Sequence, residues 1–314
     1  MKLSLLSLFS ATTAVVYAQA VPDAGAPPGS TTDGIPRPRV GSVPYGVTIT
    51  ACSQPGTVAL TFDDGPGVYT LQLLDLLDET GVKATFFILG RDSASSTDVL
   101  QRMFAAGHQL ASHTYTHLSL NNGGTRYNEV MYNEMAFRNI FGFFPTYLRP
   151  PYLECEQDCL NFLGERGYHV ISTNVDTKDY EHDDPSGISV SRQLFSDGVA
   201  GGTGNGYIVL AHDIHQNTVT NLARFMIDES RRLGFSRDIS STSHPVSINV
   251  RISRLASVRH AACSPIRFRL PRTDVAPITT SSHNSGVFEV HSGSFGSFEQ
   301  LGIDEQSTIG GHIL

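Results

Sequence analysis

The sequence predicts an α/β fold built on a parallel sheet, and three observations support this prediction. Short apolar, β-prone runs alternate with segments of helical periodicity between residues 47 and 235. Several helical segments stop at a glycine, as at Gly81, Gly107 and Gly167. Polar motifs follow the apolar runs. Because alternating strands and helices pair their strands in parallel, these motifs are expected at one edge of the sheet, where parallel α/β barrels carry active sites.

The predicted elements begin with an apolar, β-prone strand at residues 58–62, which ends at Asp-Asp-Gly-Pro. Leucines at helical spacing then predict a helix from Leu71 that stops at Gly81. Further strands are predicted at residues 84–89, 109–112, 147–149, 168–174 and 207–212, and further helices at 96–106, 127–141, 156–166, 188–198 and 217–233. Each polar motif lies at the carboxyl end of a strand in this scheme.

Composition divides the 314 residues into four segments. Residues 1–20 place Lys2 before an apolar run and then small residues, which is the pattern of a signal peptide; a buried helix or an anchor is the alternative. Residues 21–45 are rich in Pro, Gly, Ser and Thr and predict an extended or disordered leader without chemistry. Residues 46–235 predict the folded domain, and residues 236–314 predict an irregular, low-complexity tail.

The charge and the signal pattern limit the partners and the location. A net charge of -8 argues against binding to nucleic acid, which favours a basic surplus. No second apolar stretch is long enough to cross a membrane. We therefore expect a secreted monomer, extracellular or associated with a cell wall, with no nucleic acid partner and no membrane span.

Four cysteines in an exported chain favour disulfides, and they can pair in three ways. Cys155 and Cys159 are four residues apart and can close a small loop. Cys52 and Cys263 are then left as a long-range pair, or both are unpaired. A zinc knuckle is disfavoured because no second close pair of Cys or His lies nearby.

Two histidines and a carboxylate form a predicted metal site. His113 and His117 are four residues apart, so on a helical turn both rings would share a face, and Asp64 follows the first strand. These ligand types favour zinc, with cobalt, manganese or iron as alternatives. Three protein ligands leave positions for water, which suits hydrolysis of an ester or amide. Two ordinary surface histidines and a common turn are the alternative explanation.

Asp63 lies beside the predicted ligand Asp64 and is the candidate general base. Arg149 is expected to orient it, although a surface salt bridge would also explain an arginine here. The prolines at 150 and 151 suit a rigid wall beside the substrate, or simply a stiff turn. A backbone N–H near Tyr152 is expected to face a developing oxyanion.

His212 ends the most strand-like segment and is the candidate general acid. A carboxylate partner would raise its pKa. Asp179 is the first choice for that partner and Asp176 the second, although either can instead cap a helix or lie solvated in a loop. Asp213 and His215 are further polar groups that can support this site.

The five motifs together resemble those of the polysaccharide deacetylase family of carbohydrate esterases, over residues 47–235. They lie at residues 61–66, 113–117, 149–152, 176–180 and 210–215. The segment Asp-Thr-Lys-Asp-Tyr-Glu-His-Asp at residues 176–183 resembles the corresponding motif of fungal chitin deacetylases in particular. The resemblance implies a distorted (β/α) barrel of about seven strand–helix units, a variant of the parallel α/β barrel architecture.

The resemblance also implies a role for each matching residue. The implied roles are Asp63 as base, Asp64, His113 and His117 as metal ligands, Arg149 as holder of the base, Tyr152 as oxyanion donor, His212 as acid, Asp179 as its partner, and Leu210 as acetyl-pocket wall. Tyr180 stands where the family usually has Trp, so the aromatic wall is smaller; Pro151 and Asp176 complete the expected substrate-binding set. After Phe235 the family pattern stops, and a regular closing strand is expected to be lost or replaced.

The implied reaction is removal of acetyl groups from N-acetylglucosamine units of chitin or its oligomers. Two hydrolytic alternatives remain at this point, namely acetyl xylan esters and another N-acetylglucosamine polymer such as peptidoglycan. A third alternative is a non-catalytic carbohydrate-binding protein with an impaired barrel. The implied cofactor is zinc, or cobalt or another divalent metal.

Overall fold

The computed structural model describes residues 25–39 and 41–235 and contains one eight-stranded sheet with helices around it. The strands are β1 (Thr48–Ile49), β2 (Thr57–Asp63), β3 (Thr85–Ile88), β4 (Gln109–Ser112), β5 (Tyr147–Leu148), β6 (His169–Ile171), β7 (Val175–Asp176) and β8 (Gly206–His212). The α-helices are α1 (Thr70–Thr80), α2 (Thr97–Ala105), α3 (Arg126–Phe141), α4 (Gln157–Glu165), α5 (Ile188–Gly198) and α6 (Ala223–Arg232).

The strand order is β1-β6-β5-β4-β3-β2-β8-β7, and every pair is parallel. The sheet curls strongly into a half-barrel that remains open over the described part of the chain, with β1 and β7 at its edges. This arrangement confirms the predicted distorted α/β barrel, while the residues after Phe235, where the closing strand was expected to be lost or replaced, lie outside the described part of the chain. Because all strands run in one direction, all their carboxyl ends meet at one rim.

The long strands β2 and β8 are almost wholly buried, which explains their nearly continuous apolar sequences. On the outer face of the sheet, Leu73 and Leu77 of α1 and Met226 of α6 pack into the same apolar cluster as Phe62 and Val209. A rigid apolar support therefore lies directly behind the two strands that end at Asp63 and His212.

The predicted helices and strands are present, but one strand is shorter than predicted and two short strands were not predicted. Gly81 ends α1 in the left-handed conformation with φ 69°, as expected for a glycine cap. The predicted strand at 168–174 is shorter and ends at Ile171; beyond it, Asn174 accepts a hydrogen bond from Ile208 N at 2.8 Å through its side chain and donates its own N–H to Ile208 O. Strands β1 and β7 have two residues each and were not predicted, since so short a run has no detectable periodicity.

The leader is extended, but its described part is not detached from the domain. Thr32 is buried and its hydroxyl donates to the buried carboxylate of Glu134 on α3. Arg37 forms an ion pair with Glu134 at 2.6 Å, and Tyr168 donates to the same carboxylate at 2.6 Å. The leader was expected to be extended or disordered, and these residues make specific contacts with the domain, because polar groups spaced along it satisfy a buried carboxylate.

The predicted disulfide between Cys155 and Cys159 is present, with a Cα–Cα distance of 5.2 Å. Cys52 is buried, and its Sγ lies 3.2 Å from the carbonyl oxygen of Tyr207. The signal peptide, the tail and Cys263 lie outside the described residues, so its pairing with Cys52 stays a prediction. No helix in the described ranges is long and apolar enough to span a membrane.

Candidate active site

Strand register brings the sequence motifs together at the carboxyl rim of the sheet. Asp63 at the end of β2 pairs with His212 at the end of β8, and Ser112 at the end of β4, beside β3, directly precedes His113. A cavity of about 300 Å³ opens at this rim. Its lining comprises Asp63, Asp64, His113, His117, Pro150, Tyr152, Leu153, Asp176, Tyr180, Leu210, His212 and His215.

The predicted metal ligands converge on one point. Asp64 Oδ1 lies 3.4 Å from His113 Nε2 and 3.5 Å from His117 Nε2, and the three ligand atoms all lie within 4.8 Å of one another. Asp64 Oδ1 is buried and accepts no hydrogen bond from the described residues. One carboxylate oxygen and two imidazole nitrogens around an unsatisfied buried atom fit a divalent cation such as zinc.

The two histidines converge through a loop rather than through a helical turn, so that part of the prediction is wrong. Residues 113–117 form no helix, and both Thr114 (φ 72°) and His117 (φ 66°) adopt left-handed backbone conformations. Such angles are uncommon for residues other than glycine and are unfavourable for a β-branched side chain. The loop therefore needs support from its surroundings to keep this shape.

Two buried polar residues of α3 provide this support, a role that was not predicted from the sequence. The Glu129 carboxylate accepts the backbone N–H groups of Tyr115 at 3.1 Å and Thr116 at 2.8 Å. Asn133 donates its side-chain amide to the carbonyl oxygens of Ile88, at 2.9 Å, and of Thr114. The sequence does contain a signal for this role, because Glu129 and Asn133 are polar residues four apart on the helix face that carries the apolar residues.

Asp63 is held by the buried Arg149, as expected. Arg149 Nη1 donates to Asp63 Oδ1 at 2.8 Å and to Thr61 Oγ1 at 2.6 Å, and Nη2 donates to Ser172 O at 3.0 Å. The guanidinium also lies over the ring of Phe87, 4.2 Å from its centre. This network fixes one Asp63 oxygen and leaves Oδ2 beside the histidines, 3.7 Å from His113 Nε2.

His212 is paired with Asp179, the first-choice partner. His212 Nδ1 lies 2.8 Å from Asp179 Oδ1, and Asp179 Oδ2 accepts the His212 backbone N–H and the Thr218 hydroxyl, each at 2.7 Å. Asp176, the second choice, does not reach His212 and instead accepts hydrogen bonds from Lys178 N at 2.9 Å and Tyr180 Oη at 3.3 Å.

The surroundings shift the pKa values of His117 and His212 in opposite directions. Burial, together with the neighbouring His113, lowers the pKa of His117 to about 4, which keeps a nitrogen lone pair available for a cation. Burial alone would lower the pKa of His212, but Asp179 outweighs it and raises the pKa to about 10. His212 is therefore protonated at neutral pH and can donate a proton.

The remaining predicted substrate-binding residues form the walls of the cavity, with one exception. Tyr152 is half exposed with φ 60° on one side, while Tyr180 and the buried Leu210 lie on the other. Pro150 lines the cavity, whereas Pro151 was predicted to do so and is instead buried in the turn behind it. The chain turns at Pro151 into a short 3-10 helix, in which Pro151 is buried and does not line the cavity.

Comparisons with known proteins support one family. The family model for polysaccharide deacetylases matches residues 50–171. A chitin deacetylase of Colletotrichum lindemuthianum is 44% identical over 201 residues, covering 62% of this chain and 81% of that protein. Its solved structure matches with a TM-score of 0.60, over 62% of this chain and 89% of that one. The chain belongs to the polysaccharide deacetylase family.

A second relative of this polysaccharide deacetylase is named for a different substrate. It is a probable peptidoglycan-N-acetylglucosamine deacetylase of Arthroderma benhamiae, 46% identical over 198 residues. The match covers 61% of this chain and 45% of that protein.

Asp213 is a further buried polar residue of this polysaccharide deacetylase and lies under the turn that follows Asp64. Its carboxylate accepts the hydroxyl of Thr70, which in turn accepts Gly67 N at 2.7 Å. A Cβ added at Gly65 would overlap the Asp213 carboxylate, so only glycine fits there. Burial raises the pKa of Asp213 to about 7, so its carboxyl group is not fully ionised at neutral pH.

Asp179→Asn is expected to shift the alkaline limb of the kcat profile to lower pH by about 1–3 units, the usual effect of one nearby charge. Asp179 raises the pKa of His212, so removing its charge makes His212 lose its proton at a lower pH. The measurement is kcat for acetate release between pH 5 and pH 11. An alkaline limb that does not move would contradict the assignment of His212 as the acid.

Proposed function

We propose that the protein is a secreted, metal-dependent deacetylase that hydrolyses the N-acetyl groups of N-acetylglucosamine units in chitin or its oligomers. The observation that carries the proposal is the convergence, in one cavity, of a metal-ligand triad, an arginine-held carboxylate and a carboxylate-held histidine. The chitin deacetylase relative supports the substrate class. The N-terminal pattern at residues 1–20 supports secretion.

The metal would be held by Asp64, His113 and His117. When bound, a divalent cation supplies a Lewis acid that polarises the acetyl carbonyl and lowers the pKa of water. Asp63 then acts as the base through the oxygen that Arg149 leaves available, taking a proton from the water that attacks the amide carbon. Because Arg149 is buried and donates to Asp63 Oδ1, it holds the Asp63 carboxylate in the orientation that this step needs.

His212 completes the reaction from the opposite strand end. As the carbon–nitrogen bond breaks, protonated His212 donates its proton to the leaving nitrogen, which yields a glucosamine unit and acetate. Asp179 orients the ring and stabilises its positive charge before that transfer. The backbone N–H of Tyr152 is proposed to stabilise the developing oxyanion, and the buried Leu210 to contact the acetyl methyl group.

The test is acetate release by the chain lacking residues 1–20, with the N-acetylglucosamine tetramer as substrate. We expect that a chelator lowers the rate of acetate release by about tenfold or more and that added zinc or cobalt restores it. Restoration by metal distinguishes loss of the cation from irreversible unfolding of the chain. Bound metal and a folded chain with no release would contradict deacetylation. Retention of the tetramer without turnover would instead indicate a carbohydrate-binding protein.

Deacetylation of peptidoglycan is a second candidate, favoured by the relative at 46% identity that is described as acting on that polymer. The chemistry at the amide is identical, so the discriminating variable is the rest of the polymer. Parallel assays on peptidoglycan glycan and on acetylated xylan resolve this. Faster release from either of these than from the chitin tetramer would replace chitin as the substrate.

A further inference from the structure

His215 forms a second histidine–carboxylate pair at the rim of the cavity, and the proposed reaction does not use it. Its Nδ1 lies 3.2 Å from Asp183 Oδ2. Its ring centre lies 5.7 Å from that of His212, with an angle of 72° between the ring planes. His215 lines the same cavity of about 300 Å³ as the predicted metal ligands. It does not belong to the metal-ligand cluster found in the described residues.

The position of this pair is fixed from both sides. Asp183 Oδ1 accepts the Asn217 backbone N–H at 2.8 Å and the Asn217 side-chain amide at 3.1 Å. The residue before His215 packs closely on the turn after β2, since a Cβ added at Gly67 would lie 2.8 Å from Ile214 Cγ2. These contacts support the His215 ring in its place beside His212.

The orientation of the ring leaves one polar atom for a ligand. Nδ1 faces Asp183, so Nε2 is the ring nitrogen that remains, and it makes no hydrogen bond within the described ranges. The His215 side chain is 23% exposed, so Nε2 can reach a molecule in the cavity. Beside it, Ile214 is 36% exposed and presents an apolar surface. A hydrogen-bonding group next to an apolar surface suits a sugar ring, which has hydroxyls at its edge and C–H groups on its faces.

We infer that His215 is a sugar-binding residue whose Nε2 hydrogen-bonds a hydroxyl of the glycan, with Asp183 as the residue that positions its ring. The inference rests on the proposed function for the class of ligand, a polymer of N-acetylglucosamine. His215 thereby contributes to recognition of the sugar and not to cleavage of the acetyl group.

Two variants separate sugar binding from a purely structural pair. The side-chain amide of His215→Asn reaches about as far as Nδ1, so it can keep the bond to Asp183 but not the contact of Nε2. The longer side chain of His215→Gln places its amide near the Nε2 position and gives up the bond to Asp183. The metal-stripped protein is titrated with the N-acetylglucosamine tetramer by calorimetry, so that binding is measured without turnover.

We expect Kd for the tetramer to rise about tenfold in His215→Asn, the typical effect of losing one hydrogen bond, and less than about threefold in His215→Gln. The inference would be overturned if binding were unchanged in His215→Asn, or if the unmodified protein did not bind the tetramer. It would also be overturned if both variants lost binding equally, or if His215→Gln lost more than His215→Asn.

Failure of the proposed function has a separate signature. Absence of acetate release from the tetramer by the metal-loaded, unmodified protein would contradict deacetylation, while the calorimetric comparison of the two variants would still decide the role of His215.

Discussion

Asp63→Asn is expected to lower kcat for acetate release by about a thousandfold, within the range observed when a general base is removed. Asparagine has nearly the same shape as aspartate, but it cannot take a proton from the attacking water. The measurement is the steady-state rate on the N-acetylglucosamine tetramer at saturating metal. Retention of more than about a tenth of the activity would contradict the assignment, since a base normally contributes at least a hundredfold.

Asp176→Asn is the matched control for this variant. Asp176 also lines the cavity, but its carboxylate accepts hydrogen bonds from Tyr180 Oη and Lys178 N, and it makes no hydrogen bond to Arg149 in the described structure. Its loss of charge should therefore leave kcat within about tenfold, since no proton transfer in the proposed reaction depends on it. A comparable loss in both variants would indicate a general effect of cavity charge.

Arg149→Met is expected to lower the free energy of unfolding by about 3–5 kcal/mol, the usual cost of removing one partner of a buried ion pair. The guanidinium is fully buried and donates to Asp63, Thr61 and Ser172, so its loss leaves the Asp63 charge uncompensated. Urea denaturation followed by circular dichroism measures the change. Activity should fall as well, because Asp63 loses the group that orients it.

Arg102→Met is the control for the arginine variant. Arg102 contacts two carboxylates, Asp75 at 2.6 Å and Asp78 at 2.9 Å, but its side chain is 35% exposed. Exposed ion pairs contribute about 0–1 kcal/mol, so this substitution should have little effect on unfolding. Equal losses in the two arginine variants would contradict the importance of burial at Arg149.

The fold was predictable where the chain has long, periodic elements. The leucines of α1 and the buried run of β2 have unambiguous helical and strand patterns, and the parallel sheet follows from their alternation. The two-residue strands β1 and β7 were not predictable, because they are defined by pairing with β6 and β8 rather than by their own residues.

The members of the candidate site were predictable from motif spacing, but parts of its geometry were not. Asp63, Asp64 and His212 follow strands whose ends share one rim, so their proximity follows from the fold class. The left-handed turn that carries His117 depends on Glu129 and Asn133, which come from a helix later in the chain. The burial of Pro151 behind Pro150 depends on a local backbone turn and has no signature in composition.

The sequence alone therefore determined which chemical groups form the site and in which order they follow along the chain. The reason is that strand patterns, turn residues and ligand types are properties of short segments. The choice of Asp179 over Asp176 as the partner of His212, the support of the histidine loop by α3, and the attachment of the leader to Glu134 depend on contacts between distant segments. Such contacts arise only when the sheet curls and the helices pack, since burial then selects which polar groups satisfy one another.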